Sequence, residues 1–282
     1  SDLCGDPSWP PKEVFQAVGP DEVPQVLITD RQVEPATGQV VLTPPSLAIG
    51  IGCERHAPAD GLVDFVQSVL ADTGLDPSAI AAIGTVDLKG DEAALKAVSQ
   101  ALDRPIRLFT AAELEALTPH LPNPSDVVFQ EIGCHGVAEA SALALAGRTA
   151  RFVTEKRRSG PYTCAIARAQ GASVDISAGR APGRLFVVGV GPGDAAYRTG
   201  AAARAILASD AVVGYRLYLD LAADLIGDKP VYESDLGAEE ARAAKALALA
   251  AQGQTVSLVC SGDPGIYALA TLVFELLAET QD

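Results

Sequence analysis

The sequence predicts an α/β protein of two domains, and three observations carry that expectation. From residue 47 onward, short apolar runs alternate with stretches of helical periodicity, the pattern of parallel strands joined by helices. A Gly/Pro/Ala-rich stretch at 171–183 interrupts the alternation, which then resumes. The length of 282 residues also suits two domains, at roughly 100–200 residues each.

Taken in order, residues 1–46 form a Pro-rich lead segment. Prolines at 7, 10, 11, 20, 24, 44 and 45 are too frequent for long helices, leaving one strand candidate at 25–29. A buried strand is expected at 47–52, ending in Gly52. Leu62, Phe65, Val66, Val69 and Leu70 follow at spacings of 3, 1, 3 and 1, which puts one apolar stripe on a helix over 58–73. Strand 80–86, helix 91–102, strand 106–109 and helix 111–117 continue the pattern, and helix 137–146 and strand 163–169 complete a domain of 47–170. The alternation predicts a parallel α/β layer. After the 171–183 linker, a second domain over 184–282 holds strand 185–190, helix 201–209, strand 211–213, helix 239–252, strand 255–260 and helix 268–278.

Composition narrows the function classes. A hydrophobic fraction of 48% with 20% charged residues is ordinary for a globular chain. The net charge of −15 argues against a general nucleic-acid surface, yet leaves room for local basic groups that hold an anionic small molecule. No apolar stretch approaches the ~20 residues of a membrane span, and residues 1–12 lack the basic start and apolar core of a signal peptide. The cysteines at 4, 53, 134, 164 and 260 are odd in number and scattered, a cytoplasmic pattern rather than a disulfide framework. The chain starts at Ser1, has no methionine and stops just after a helix-like segment, so it is expected to be a piece of a longer polypeptide, inactive by itself.

Two Gly-rich turns draw the functional reading. Gly189-Val190-Gly191-Pro192-Gly193-Asp194 follows an apolar strand, but it is not a dinucleotide fingerprint: Asp194 stands where the third glycine belongs. Pro192 removes an N–H that a phosphate cradle would use, and no Gly-Lys-Ser/Thr follows. Alone, it reads equally well as a plain strand-to-helix turn. Ser261-Gly262-Asp263-Pro264-Gly265-Ile266-Tyr267 also follows an apolar strand. Two such turns on one parallel sheet face the same edge, where open α/β sheets bind ligands. Glycines permit close approach and Asp263 accepts hydrogen bonds, which favours a polar cofactor without phosphates.

These two motifs, about 70 residues apart, resemble the tetrapyrrole (corrin/porphyrin) methyltransferases. Val213-Gly214-Tyr215-Arg216-Leu217-Tyr218-Leu219-Asp220 between them is similar to precorrin-3B C17-methyltransferase. The resemblance covers 184–282 and implies the N-terminal half of that fold, S-adenosylmethionine as cofactor, a precorrin substrate and a homodimer. Carried across, it implies cofactor contacts at Gly191, Pro192, Gly193, Ser261, Gly262, Asp263 and Ile266. Tyr215 falls where related enzymes carry an aspartate proposed as a base. Tyr215 is therefore the candidate catalytic residue, the alternative being that it and Tyr218 only line the cleft.

In the first domain, residues 47–55, 83–89 and 132–140, with Phe109-Thr110-Ala111-Ala112-Glu113-Leu114 and Tyr162-Thr163-Cys164-Ala165-Ile166-Ala167, resemble the C-terminal domain of cobalt-precorrin-5A hydrolases, the CbiG/CobE family. The larger N-terminal domain of those hydrolases has no counterpart here. Arg55 and the run Lys156-Arg157-Arg158 are candidate binders of precorrin carboxylates, or else a solvated basic turn. Cys53 with His56 and Cys134 with His135 are weak metal signals, and no metal site is expected. Asp87 and Lys89 read as a loop ion pair. Methyl transfer in corrin synthesis is the leading reading; a lactone-opening hydrolase and a non-catalytic corrinoid carrier are its alternatives.

Overall fold

The computed structural model describes residues 26–170, 174–265 and 269–279. The chain divides into two compact units between Arg180 and Ala181.

The first unit opens with β1 (Val26–Ile28) and β2 (Val40–Leu42), a small parallel pair. The segment is tied down by Arg168, whose Nε donates to Asp30 Oδ2 at 2.5 Å. The main sheet follows: β3 (Leu47–Cys53), α1 (Ala59–Thr73), β4 (Ile80–Val86), α2 (Ala93–Leu102), β5 (Ile106–Phe109), α3 (Ala111–Glu115), α4 (Asp126–Ile132), α5 (Val137–Ala146), β6 (Arg151–Ser159) and β7 (Tyr162–Arg168). Its strand order is β5-β4-β3-β7-β6. β3, β4 and β5 are parallel, as the alternating pattern predicts, but β7 runs antiparallel to β3 and β6 antiparallel to β7. The parallel layer is therefore extended by an antiparallel pair, because a tight connection at Gly160-Pro161 leaves no length for a crossover and the chain returns as a hairpin.

Both faces of this sheet are covered. Leu62, Val66, Val69 and Leu70 of α1 and Leu95 and Val98 of α2 pack with Leu47, Ile49, Ile51 and Ile83 on one face. On the other face α5 lies against Ala48, Ala82 and Ala167. α5 is buried almost all round, which explains its Ala-rich sequence: small side chains let it sit close to the strands. Closest of all is the crossing at Gly50, where a Cβ would stand 1.8 Å from the Ala138 carbonyl oxygen.

Residues 174–180 lie within the stretch read as a linker, and they are held by the first unit. Arg107 donates to the carbonyls of Ser177, Ala178 and Gly179, and Arg180 bridges Leu108 in antiparallel fashion.

The second unit contains β8 (Arg184–Gly189), α6 (Gly200–Leu207), β9 (Ala211–Tyr215), α7 (Arg216–Leu221), α8 (Ala223–Ile226), β10 (Val231–Ser234), α9 (Glu239–Ala251), β11 (Thr255–Cys260) and α10 (Leu269–Glu279). Its four strands are all parallel in the order β10-β9-β11-β8. Leu258, Val256 and Val213 pack beneath α9 and α10, while Val188, Val212 and Val259 pack against α6, α7 and α8. Burial on both faces is why these strands read as continuous apolar runs.

Candidate functional site

Parallel pairing of β8, β11 and β9 brings their carboxyl ends to one edge. The two Gly-rich turns start there and meet backbone to backbone: Gly191 and Gly262 form an antiparallel bridge, and Val190 N–H donates to the Cys260 carbonyl at 3.0 Å. The contact needs glycine, since a Cβ at Gly189 would stand 1.9 Å from the Gly262 carbonyl oxygen. Gly191 at φ +78° and Gly262 at φ +60° also lie in the left-handed region that glycine adopts freely.

Next to these turns is an open cleft of about 920 Å³, lined in part by Gly189, Gly191, Tyr197, Arg204, Gly262 and Asp263. Asp263 Oδ1 accepts from Gly265 N–H at 2.8 Å, which orders its own turn, and the side chain stays exposed. Asp194 shapes the first turn in the same way, accepting from Ala196 N–H at 2.7 Å. Arg198 fastens the far side of that turn, pairing with Asp224 at 2.9 Å and donating to the Leu221 carbonyl. Sequence reasoning passed over Arg198; an arginine four residues beyond Asp194 carries no local signal.

The predicted residues are thus placed unevenly. Gly191, Gly262 and Asp263 line the cleft, whereas Pro192, Gly193 and Ser261 stand in the same two turns without lining it. Ile266 lies outside the described residues. Tyr215 ends β9 at the same sheet edge, edge to face with Tyr218 at 5.5 Å, and does not line the cleft. The Cys260 thiol just before the second turn is pushed up to about 11, chiefly by burial.

The basic residues of the first unit do not form one cluster. Lys156, Arg157 and Arg158 lie on strand β6 rather than in a turn. Arg157 reaches Asp72 at 3.1 Å, while Lys156 and Arg158 line a recess of about 350 Å³ together with Lys89. Arg55 pairs with Asp91 at 2.8 Å and Glu92 at 3.2 Å, and also donates to the Leu88 carbonyl. The expected Asp87–Lys89 pair does not form: Asp87 binds Arg180 at 2.6 Å, which leaves Lys89 for the recess.

That recess lies at the carboxyl ends of β3 and β4 and the start of α5. Its walls include Val86, Val127, Val128, Ile132 and Val137. Behind it the buried Glu139 carboxylate accepts from Asn123 N–H and Nδ2 and from Lys156 N–H, and Lys156 Nζ donates to the Asn123 carbonyl.

The Cys–His pairs are not assembled together. Cys53 packs toward the α1/α2 core, and Cys134 lies in the core on the other face. His135 is engaged elsewhere: its Nδ1 meets Glu115 at 2.9 Å, its ring stacks on Phe129 at 4.4 Å, and the bond to His135 foremost holds the Glu115 carboxyl below its usual range. Among the described residues no group of three or more His, Cys, Asp or Glu could hold a metal ion, and no helix is long and apolar enough to cross a membrane.

The fold and the paired turns define an α/β protein of two compact units with an open cleft at strand carboxyl ends. Residues 47–167 match the family described as Cobalamin synthesis G C-terminus, and residues 184–282 match Tetrapyrrole (Corrin/Porphyrin) Methylases. Among curated relatives, Protein CobE of Sinorhizobium sp is 40% identical over 121 residues, covering 43% of this chain and 79% of that protein. A probable cobalt-factor III C(17)-methyltransferase of Salmonella typhimurium is 42% identical over 95 residues, 34% of this chain and 39% of that protein. A cobalt-precorrin-5A hydrolase of Priestia megaterium is 30% identical over 128 residues, 45% of this chain and 33% of that protein. The chain therefore spans most of CobE but well under half of the methyltransferase and the hydrolase. It belongs to the Cobalamin synthesis G C-terminus family and joins that hydrolase-type domain to a tetrapyrrole methylase domain, an architecture of cobalamin biosynthesis.

Proposed function

We propose that the protein serves S-adenosylmethionine-dependent methylation of a corrin-type tetrapyrrole, at C17 of precorrin-3B, with its first domain handling corrinoids in the same pathway. The observation that carries this reading is the backbone-to-backbone meeting of the Gly191 and Gly262 turns at the carboxyl edge of a parallel sheet. A cradle of glycines beside the Asp263 carboxylate fits a cationic, phosphate-free ligand better than a nucleotide phosphate. Gly191, Pro192, Gly193, Ser261, Gly262, Asp263 and Ile266 are the residues proposed to hold it.

S-adenosylmethionine supplies an electrophilic methyl on sulfonium sulfur, and the attacking carbon belongs to the macrocycle. The protein's part is placement, which alone accounts for much of the rate in such a transfer. The Gly turns set how near the cofactor approaches the sheet edge, and Asp194 and Asp263 fix the turns themselves. Tyr215, on the next strand end, is the candidate catalytic residue; as a neutral phenol it would position the macrocycle by hydrogen bonding, and solvent would take the proton the ring carbon releases. A homodimer and a cytoplasmic location belong to the same reading. Lactone opening by the first domain is the other activity its relatives raise, and acetaldehyde release would report it.

Calorimetric titration with S-adenosylmethionine tests the proposal. A polypeptide carrying the whole methylase domain is expected to bind, and Asp263→Ala to weaken binding at least tenfold. Unchanged affinity removes Asp263 from the site, and absence of binding to the unaltered polypeptide removes the methyl-transfer reading.

A further inference from the structure

One buried cation of the second unit has no part yet in the methylase reading. Arg198 stands between the first Gly-rich turn and α6, and its side chain is only 6% exposed. It reaches across to the corner between α7 and α8. Nη1 pairs with Asp224 Oδ2 at 2.9 Å, in the first turn of α8, and Nη2 donates to the Leu221 carbonyl at 2.6 Å. Leu221 is the last residue of α7, where helix carbonyls lack partners within the helix and a cation is favoured. The bond to Arg198 foremost holds the Asp224 carboxyl below its usual range. Gly193 of the turn faces the same corner, since a Cβ there would stand 3.8 Å from the Leu221 side chain.

Packing does not call for an arginine at this place. Its Nε is buried and has no partner among the described residues, a cost that a leucine or methionine there would avoid. What the guanidinium supplies and an apolar side chain would not is direction. Two hydrogen bonds from one planar group fix where α7 ends relative to the turn. The other end of α7 is fixed by β9, from which it starts directly, and by the crossing at Gly214, where a Cβ would stand 3.0 Å from Leu219. Between these anchors α7 carries Tyr218, which meets Tyr215 edge to face at 5.5 Å. The Gly-rich turns hold together without Arg198, through the Gly191–Gly262 bridge and through Asp194 and Asp263.

We propose that Arg198 is a positioning residue of the methylase site, holding α7 against the first Gly-rich turn so that Tyr215 and Tyr218 keep a fixed place beside the bound cofactor. The proposal rests on the methyl-transfer reading of the site and adds a residue that acts through others rather than on either ligand. Losing it should leave the cofactor cradle in place and let the tyrosines drift, so turnover suffers where affinity does not.

The test replaces Arg198 in a polypeptide carrying the whole methylase domain. It reads S-adenosylmethionine affinity by calorimetry, kcat for methyl transfer to precorrin-3B, and, without cofactor, the ring resonances of Tyr215 and Tyr218 in isotope-labelled protein. Arg198→Leu should move both ring resonances and lower kcat at least tenfold, with cofactor affinity within threefold. Arg198→Lys, which keeps a charge for Asp224 and a donor for Leu221, should regain at least a third of kcat. Should Arg198→Leu fail to fold, Asp224→Asn carries the test, with kcat lowered at least twofold at unchanged cofactor affinity. Arg184→Gln, an exposed charge at the other end of β8, should leave kcat and affinity within twofold and the rings unmoved. The proposal is overturned by unmoved ring resonances, by unchanged kcat, by cofactor affinity that falls in step with kcat, or by no recovery in Arg198→Lys. The resonances keep the two readings apart: if they move in a polypeptide that binds no S-adenosylmethionine, methyl transfer is sunk while the link from Arg198 to the tyrosines stands.

Discussion

The two domains use glycine at close contacts for opposite ends. In the first, Gly50 sits mid-strand and lets α5 press its Ala138 carbonyl against β3. In the second, Gly189 ends a strand and lets one turn rest on the Gly262 carbonyl of another. The first contact is buried among strands and helix and cannot relax without moving a core helix. The second lies at an edge where both partners are turns. One glycine therefore governs whether a domain folds, the other how a site is shaped. A Cβ would meet a carbonyl oxygen at 1.8 Å in one case and 1.9 Å in the other, yet the consequences differ because the surroundings yield differently.

Substituting each glycine in turn breaks the comparison most directly. Gly50→Ala is expected to destabilise the first domain by about 3 kcal/mol or more, since α5 packs on both its strand and hairpin sides. Its urea midpoint should fall while that of the second domain holds. Gly189→Ala should cost the second domain roughly 1–3 kcal/mol, as the turns shift apart. On the proposed cofactor reading, the larger signal expected there is a loss of S-adenosylmethionine affinity of tenfold or more. If Gly189→Ala unfolds its domain as Gly50→Ala does, the distinction between core contact and site contact fails.

A smaller effect separates the domains by pH. Glu115 is held below its usual range, first by its bond to His135. A depressed carboxyl adds stability above its unfolded value, and that stability is lost as pH falls through its folded value. The gap in urea midpoint between the unaltered chain and Glu115→Gln should be full at pH 7 and close below the ordinary carboxylate range. The second domain's transition should show no difference between the two proteins at any pH.

The smallest expected effect is chemical. Cys53 ends β3 and Cys260 ends β11, and burial pushes each thiol up to about 11; Cys164, deeper, rises to about 12. At pH 8 their alkylation should run at least tenfold slower than that of a free cysteine, because the thiolate is scarce. Rates should recover in each domain at its own unfolding midpoint, with mass spectrometry assigning the labelled peptide.

What the sequence made legible follows from where the information lies. Helix α5 and strands β5 and β11 were readable end to end because each is a mostly apolar run with Gly or Pro shortly before it or just after it. β6 was not: Glu155-Lys156-Arg157-Arg158 shows no apolar alternation, and the strand exists because β7 pairs with it along its length. β2 and β10 escaped for the same reason, being short and stabilised by a distant partner. The cleft of the second domain was visible as two glycine motifs, since backbone proximity demands glycine whatever surrounds it. The recess of the first was not, because Lys89 and Lys156 are 67 positions apart and meet only through the order of strands in the sheet.

The hold of Arg107 and Leu108 on residues 177–180 bears on how this polypeptide can be taken apart. β5 is the outer strand of its sheet, and that short stretch occupies its unpaired side. A first domain trimmed at residue 170, where composition suggests the cut, would leave β5 bare and offer its amides to the next molecule in solution. Trimming after Arg180 keeps the outer strand covered, and the longer domain is expected to stay dispersed where the shorter one pairs edge to edge.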